Sequence, residues 1–99
     1  YPVVKNVGIS VANGIVTATG NYYSPTGAKE ASRIYRWYSA GNGSGPDVTN
    51  NRLIHGLNTP SFKASDYPDI KWARVDIECT DVNGVTFNGA SGCVYKEIR

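Results

Sequence analysis

The sequence predicts an all-β chain folded as an antiparallel sandwich of about seven short strands. Three observations carry that expectation. The composition favours strands and turns: Gly 11, Tyr 7, and an apolar content of 40% that is too high for disorder. Apolar residues recur with period two in several segments, as one buried sheet face requires. Turn signals return at the roughly 8–12-residue spacing of sandwich strands.

The elements follow in order. Val7, Ile9 and Val11 alternate with Gly8, Ser10 and Ala12 as a first strand. Asn13-Gly14 is a hairpin signal, because both residues tolerate the positive φ of a two-residue turn. Val16, Ala18 and Gly20 alternate with Thr17 and Thr19 as the returning strand. Residues 21–29 contain Pro25 and Gly27 and read as a loop, and Lys29 to Arg33 carries about one turn of helical propensity. Ile34 to Tyr38 is an aromatic strand, and the Gly-rich run from Gly41 to Pro46 is an exposed loop. Arg52 to His55 and Ser61 to Ala64 are short strands around Gly56 and Pro60. Trp72 to Thr80 is the clearest strand, with Ala73, Val75, Ile77 and Cys79 on one face and Arg74, Asp76, Glu78 and Thr80 on the other. Asp81 to Gly84 is a turn, Val85 to Phe87 a short strand, residues 88–92 a bend, and Cys93 to Ile98 the last strand. The core is expected around Trp37, Val75 and Ile77.

The 99 residues suit a single domain spanning 1–99, with no internal repeat or linker. The chain holds no Met, which fits a module of a larger or processed protein. The formal charge of +2 comes from scattered cations, so no nucleic-acid partner is expected. No apolar run reaches the ~18 residues of a membrane span, so no membrane insertion is expected.

Ile34-Tyr35-Arg36-Trp37-Tyr38 ahead of a Gly-rich loop resembles the Y-x-W-Y strand of bacterial and phage immunoglobulin-like domains. Ala64 to Pro68 leading into Trp72 to Ile77 is similar to the passage into a later strand of those domains, and Thr80 to Val85 to the T-D-x-x-G turn after it. Val16-Thr17-Ala18 is similar to their second strand. The resemblance runs from about Val16 to Gly84. Pro68 stands where the family has Gly, Asp69 to Lys71 look inserted, and Trp72 replaces a Tyr. It implies an immunoglobulin-like sandwich with Trp37 in the core and no catalysis. It also implies an extracellular, cell-surface or virion setting, with other domains of the same parent protein as partners.

The residues that carry chemistry have two readings each. Cys79 and Cys93 are either two buried apolar side chains or a disulfide between the last long strands. Such a bridge would close a loop of about 15 residues and stabilise by about 3 kcal/mol. Ala18 leaves no cysteine for the inter-sheet bridge of antibody domains. Two Cys and one His are too few for a zinc centre. His55, between Ile54 and Gly56, reads as an ordinary half-exposed side chain, not a triad member. Asp66, Asp69, Asp81 and Asn83 are oxygen donors at loop ends, but no bidentate Glu follows Asp81-x-Asn83-Gly84 at calcium-loop spacing. Asx hydrogen bonding explains that segment better. Asn42-Gly43-Ser44 matches a glycosylation sequon, and the Gly-rich loop lacks the Lys-Ser/Thr ending of a phosphate loop.

Aromatics are the richest set. Tyr22, Tyr23, Tyr35, Trp37, Tyr38, Tyr67, Trp72 and Tyr95 exceed one small core. They either cover edges and loops or present a platform, with Tyr23, Tyr38 and Trp72 as candidate ligand contacts. The expected function is therefore a non-enzymatic structural or adhesion module. Its contacts would run through loops 21–29, 40–51 and 83–92. The alternative is a carbohydrate-binding module of a secreted polysaccharide-active enzyme, in which exposed aromatics stack on sugar rings of an extracellular polysaccharide. No cofactor, metal site or catalytic residue is assigned.

Overall fold

The structure is a computed structural model, and it describes residues 1–88 and 94–99. Eight strands appear among the described residues: β1 Val3–Ala12, β2 Ile15–Tyr23, β3 Glu30–Ser39, β4 Arg52–Leu53, β5 Ser61–Lys63, β6 Trp72–Asp81, β7 Thr86–Phe87 and β8 Tyr95–Glu97. A short 3-10 turn, Ala64–Asp66, follows β5. One sheet has the order β1-β2-β5 and the other β4-β3-β6-β7, with β8 also on β6. All pairings are antiparallel. The two sheets pack face to face as a β-sandwich. Strands 1, 2 and 5 lie in one layer and 3 and 6 in the other.

β1 is longer than its alternation suggests. Its pairing with β2 slips between Lys5 and Gly8, and Asn6 takes φ 54° there. The extra residue switches the inward face from Val4 to Val7, Ile9 and Val11, so period two breaks and conceals the first half of the strand. The hairpin at Asn13-Gly14 has φ 53° and 75°, as a type I′ turn requires. β2 continues past Gly20 to Tyr23. A Cβ on Gly20 would collide with Val4 Cγ1 of the neighbouring strand β1 and touch Ile77 Cδ1 of the facing sheet at 3.5 Å, so Val4 fills the space beside this glycine.

The one-turn helical expectation for Lys29 to Arg33 is corrected. Residues from Glu30 onward are strand, paired Glu30↔Asp81 and Ser32↔Thr80 with a bulge between. Ten residues of β6 offer a ladder that a single helical turn cannot match. The segment from Arg52 is strand only to Leu53 and then turns at His55-Gly56, where Gly56 has φ 81°.

The core lies between the sheets. Trp37, Val75 and Ile77 are buried, with Val4, Val16 and Cys79 around them. Trp37 meets Phe62 edge-on at 4.8 Å, and Phe62 meets Tyr67 at 5.3 Å, which carries the aromatic cluster from β3 through β5 to the 3-10 turn. The Arg99 guanidinium donates to the carbonyls of Ala64, Tyr67 and Ile70 and so satisfies the turn that leads into β6.

Candidate contact surfaces

At one end of the sandwich the β2–β3 loop and the β6–β7 turn converge. The β2–β3 loop is a hydroxyl-capped turn. Ser24 and Thr26 hydroxyls are hydrogen bonded at 3.1 Å, Thr26 N–H donates to Ser24 Oγ, and Gly27 N–H donates to Ser24 O. Its base is tied by Tyr22, whose hydroxyl donates to Ala28 O at 2.7 Å. Burial pushes the Tyr22 phenol above its ordinary pKa.

Asp81 organises the other turn. Its side chain is buried, and Oδ1 accepts from Asn83 N–H at 2.8 Å and Val85 N–H at 3.0 Å. Gly84 supplies φ 81°, the positive value that closes the turn. Asp81 is therefore a turn anchor, the Asx pattern expected of Asp81-Val82-Asn83-Gly84. Val82 N–H donates to Lys29 O at 2.9 Å and staples the two connections together. Between them is a cleft of ≈ 190 Å³ lined by Tyr1, Pro2, Ser24, Thr26, Asp81 and Val85. Tyr1 stacks on Phe87 at 5.1 Å, and its ring and Val85 give the cleft an apolar, exposed side.

Asp66 and Asp69 are exposed near the start of β6, a full strand length from Asp81 and Asn83 at its end. The four oxygen donors do not come together. Among the described residues no group of three or more His, Cys, Asp and Glu stands close enough to hold a metal. His55 is exposed in its turn. Cys79 is buried on β6 with no sulfur partner among the described residues, and burial raises its thiol pKa. Cys93, and with it the expected bridge, lies outside the described residues.

At the opposite end, residues 40–51 form a pinned loop. The Asp47 carboxylate accepts from Thr49 Oγ1 at 3.0 Å, from Thr49 and Asn50 N–H, and from Asn50 Nδ2. The Thr49 hydroxyl above all holds its carboxyl below the usual range. Trp72 Nε1 donates to Gly43 O at 3.0 Å, and Lys71 N–H donates to Asn42 Oδ1. These bonds fasten the Gly-rich loop to the start of β6.

The three candidate aromatics do not share a face. Tyr38 and Trp72 project outward from the β3–β6 sheet, while Tyr23 projects outward from the β1–β2 sheet on the far side of the sandwich. Each has a local partner. Arg74 lies over Tyr38 at 5.0 Å and Lys5 over Tyr23 at 4.0 Å. Trp72 is half-buried against the Gly-rich loop. Arg74 is the hub of its face: it donates to Asn51 Oδ1 at 2.8 Å and pairs with Asp76, and Tyr95 donates to the same Asn51 oxygen at 3.0 Å. Arg36 pairs with Glu78 alongside at 2.7 Å.

Sequence reasoning named Arg74 and Tyr95 separately and did not join them at Asn51, because cross-strand neighbours come from register and not from spacing along the chain. Pro46-Asp47 ahead of Thr49 and Asn50 was a readable turn signal for the Asp47 loop. No family model matches the chain, and neither a curated protein nor a solved structure matches it.

Proposed function

We propose that the chain is a non-enzymatic immunoglobulin-like module of a bacterial surface or phage virion protein. It makes weak protein contacts through its loop ends. The observation that carries this reading is the convergence of the β2–β3 loop and β6–β7 turn on one cleft with exposed apolar side chains of Tyr1 and Val85 in its lining. Exposed apolar side chains grouped on hydrogen-bonded turns suit contact with another protein surface, since the turns lose little entropy on binding. The partners are other domains of the same parent protein, in an extracellular or virion-surface setting.

The test reads the coding sequence on either side of this chain and assays the purified module on a polysaccharide array. Flanking sandwich modules, or a capsid or tail domain, with no array signal, are the expected result. A flanking glycosidase or lyase domain, or array binding abolished by Tyr38→Ala, would overturn the proposal in favour of a carbohydrate-binding module.

A further inference from the structure

Strand β3 has one edge fully used and one edge largely open. Along the first it pairs with β6 from Glu30↔Asp81 to Ser39↔Ala73. Along the second it meets β4 only at Tyr38 and Ser39, plus one bond from Ile54 N–H to Trp37 O. The chain then turns away at His55-Gly56, where Leu57 N–H bonds Ile54 O. Successive residues of a strand aim their backbone groups at opposite edges. Trp37 O faces β4, so the N–H and C=O of Tyr35 and Arg33 face the same way, beyond the point where β4 ends. Among the described residues no backbone group bonds them.

Other edges of the sandwich are blunted. β1 carries a bulge and Lys5, while β5, β7 and β8 are two or three residues long. The open stretch of β3 has instead a groove of ≈ 200 Å³ beside it, lined by Ile34, Tyr35, Leu53, Ile54, His55 and Leu57. Ile34 and Leu53 are 42% and 41% exposed, high for aliphatic side chains beside a groove. Arg36 and His55 stand at this groove, and among the described residues no Asp or Glu lines it. Arg36 is engaged on one side by Glu78, and its side chain remains 42% exposed.

We propose that the open edge of β3 over Arg33–Arg36 receives an extended segment of a partner protein as an added antiparallel strand. The added strand continues the line of β4. Its backbone completes the ladder at Tyr35 and Arg33, an apolar side chain lies against Ile34, and two residues along on the same face a carboxylate faces Arg36 and His55. This edge is apart from the loop-end cleft, so either proposal can fail alone.

The experiment is amide NMR on the purified chain. In the free protein, Arg33 and Tyr35 amides should exchange with solvent at least tenfold faster than those of Ile34 and Arg36, which face β6. A blocked hexapeptide Thr-Glu-Thr-Val-Thr-Glu, whose Glu and Val share one face of an extended strand, is then titrated in, with the version carrying Lys in place of Glu as control. The expected result is slowed exchange and shifted signals at Arg33 and Tyr35 with the Glu peptide, weakened by salt and by Ile34→Lys. An unchanged Trp37 indole signal verifies that this variant is folded. Equal protection of all four amides in the free protein overturns the proposal. So does a Lys peptide that binds as well, an undiminished response in Ile34→Lys, or no response at Arg33 and Tyr35 at millimolar peptide.

Discussion

The Trp37 indole N–H donates to Thr59 O at 2.8 Å. A fully buried side chain of β3 thus fixes the backbone of the crossover that carries the chain from β4 to β5. The bond removes an unpaired donor from the core and sets where the chain changes sheets. Replacing Trp37 by Phe keeps part of the packing against Phe62 and loses this tether. We expect a loss of about 1–3 kcal/mol for Trp37→Phe and about 3–5 kcal/mol for Trp37→Ala, read from urea-unfolding midpoints. A Phe variant of wild-type stability would show that the tether contributes nothing.

Gly20 is required by space. The side chain of Val4, itself buried, occupies the place a Cβ would need, and Ile77 stands behind. Gly20→Ala should cost about 1–3 kcal/mol by overpacking. The double variant Gly20→Ala with Val4→Ala should recover part of what Gly20→Ala loses, because it removes the colliding methyls. Strict additivity of the two single losses would count against this contact.

Asp47 ties residues 47–50 by accepting several hydrogen bonds in its ionised form. Its folded pKa is therefore lower than its unfolded one. The native state binds fewer protons, so this contribution is present above the unfolded value of ~3.9 and is lost as pH falls through the folded value. Carboxyl-carbon NMR should place its midpoint below that of an unstructured Asp, and Asp47→Ala should shift the Thr49 and Asn50 amides. A midpoint at the ordinary value would remove the argument.

Cys79 is buried, and its raised pKa reduces the thiolate fraction further. In a Cys93→Ser variant, native Cys79 should react with iodoacetamide at least a hundredfold more slowly than in denaturant, since thiolate and access are both needed. Comparable rates in the two conditions would place Cys79 outside the core. Intact mass of the wild-type chain before and after reduction independently tests for a Cys79–Cys93 bridge.

Several features were legible because each is local. Trp72 to Thr80 showed its inward face in the alternation, and β6 has that pattern of burial along its length. Asn13-Gly14 fixed the first hairpin, and Asp81 to Gly84 its own turn, because those residues tolerate or build the backbone angles required. The two-layer β-architecture follows from these segments and from the rarity of any longer helical pattern.

Tertiary structure decided the rest. Residues 30–33 read as helical and became strand, because β6 lay ready to pair with them. The bulge near Asn6 reversed the inward face of β1, which only the register against β2 exposes. Tyr23, Tyr38 and Trp72 shared an aromatic character but ended on opposite sides of the sandwich. By itself the sequence determined which residues turn and which alternate, since both depend on a few neighbours. Which strand ends converge on a cleft, which cation covers which ring and which edge of β3 stays open depend on pairings between residues far apart in the chain. Those pairings are chosen by the packing of the whole core.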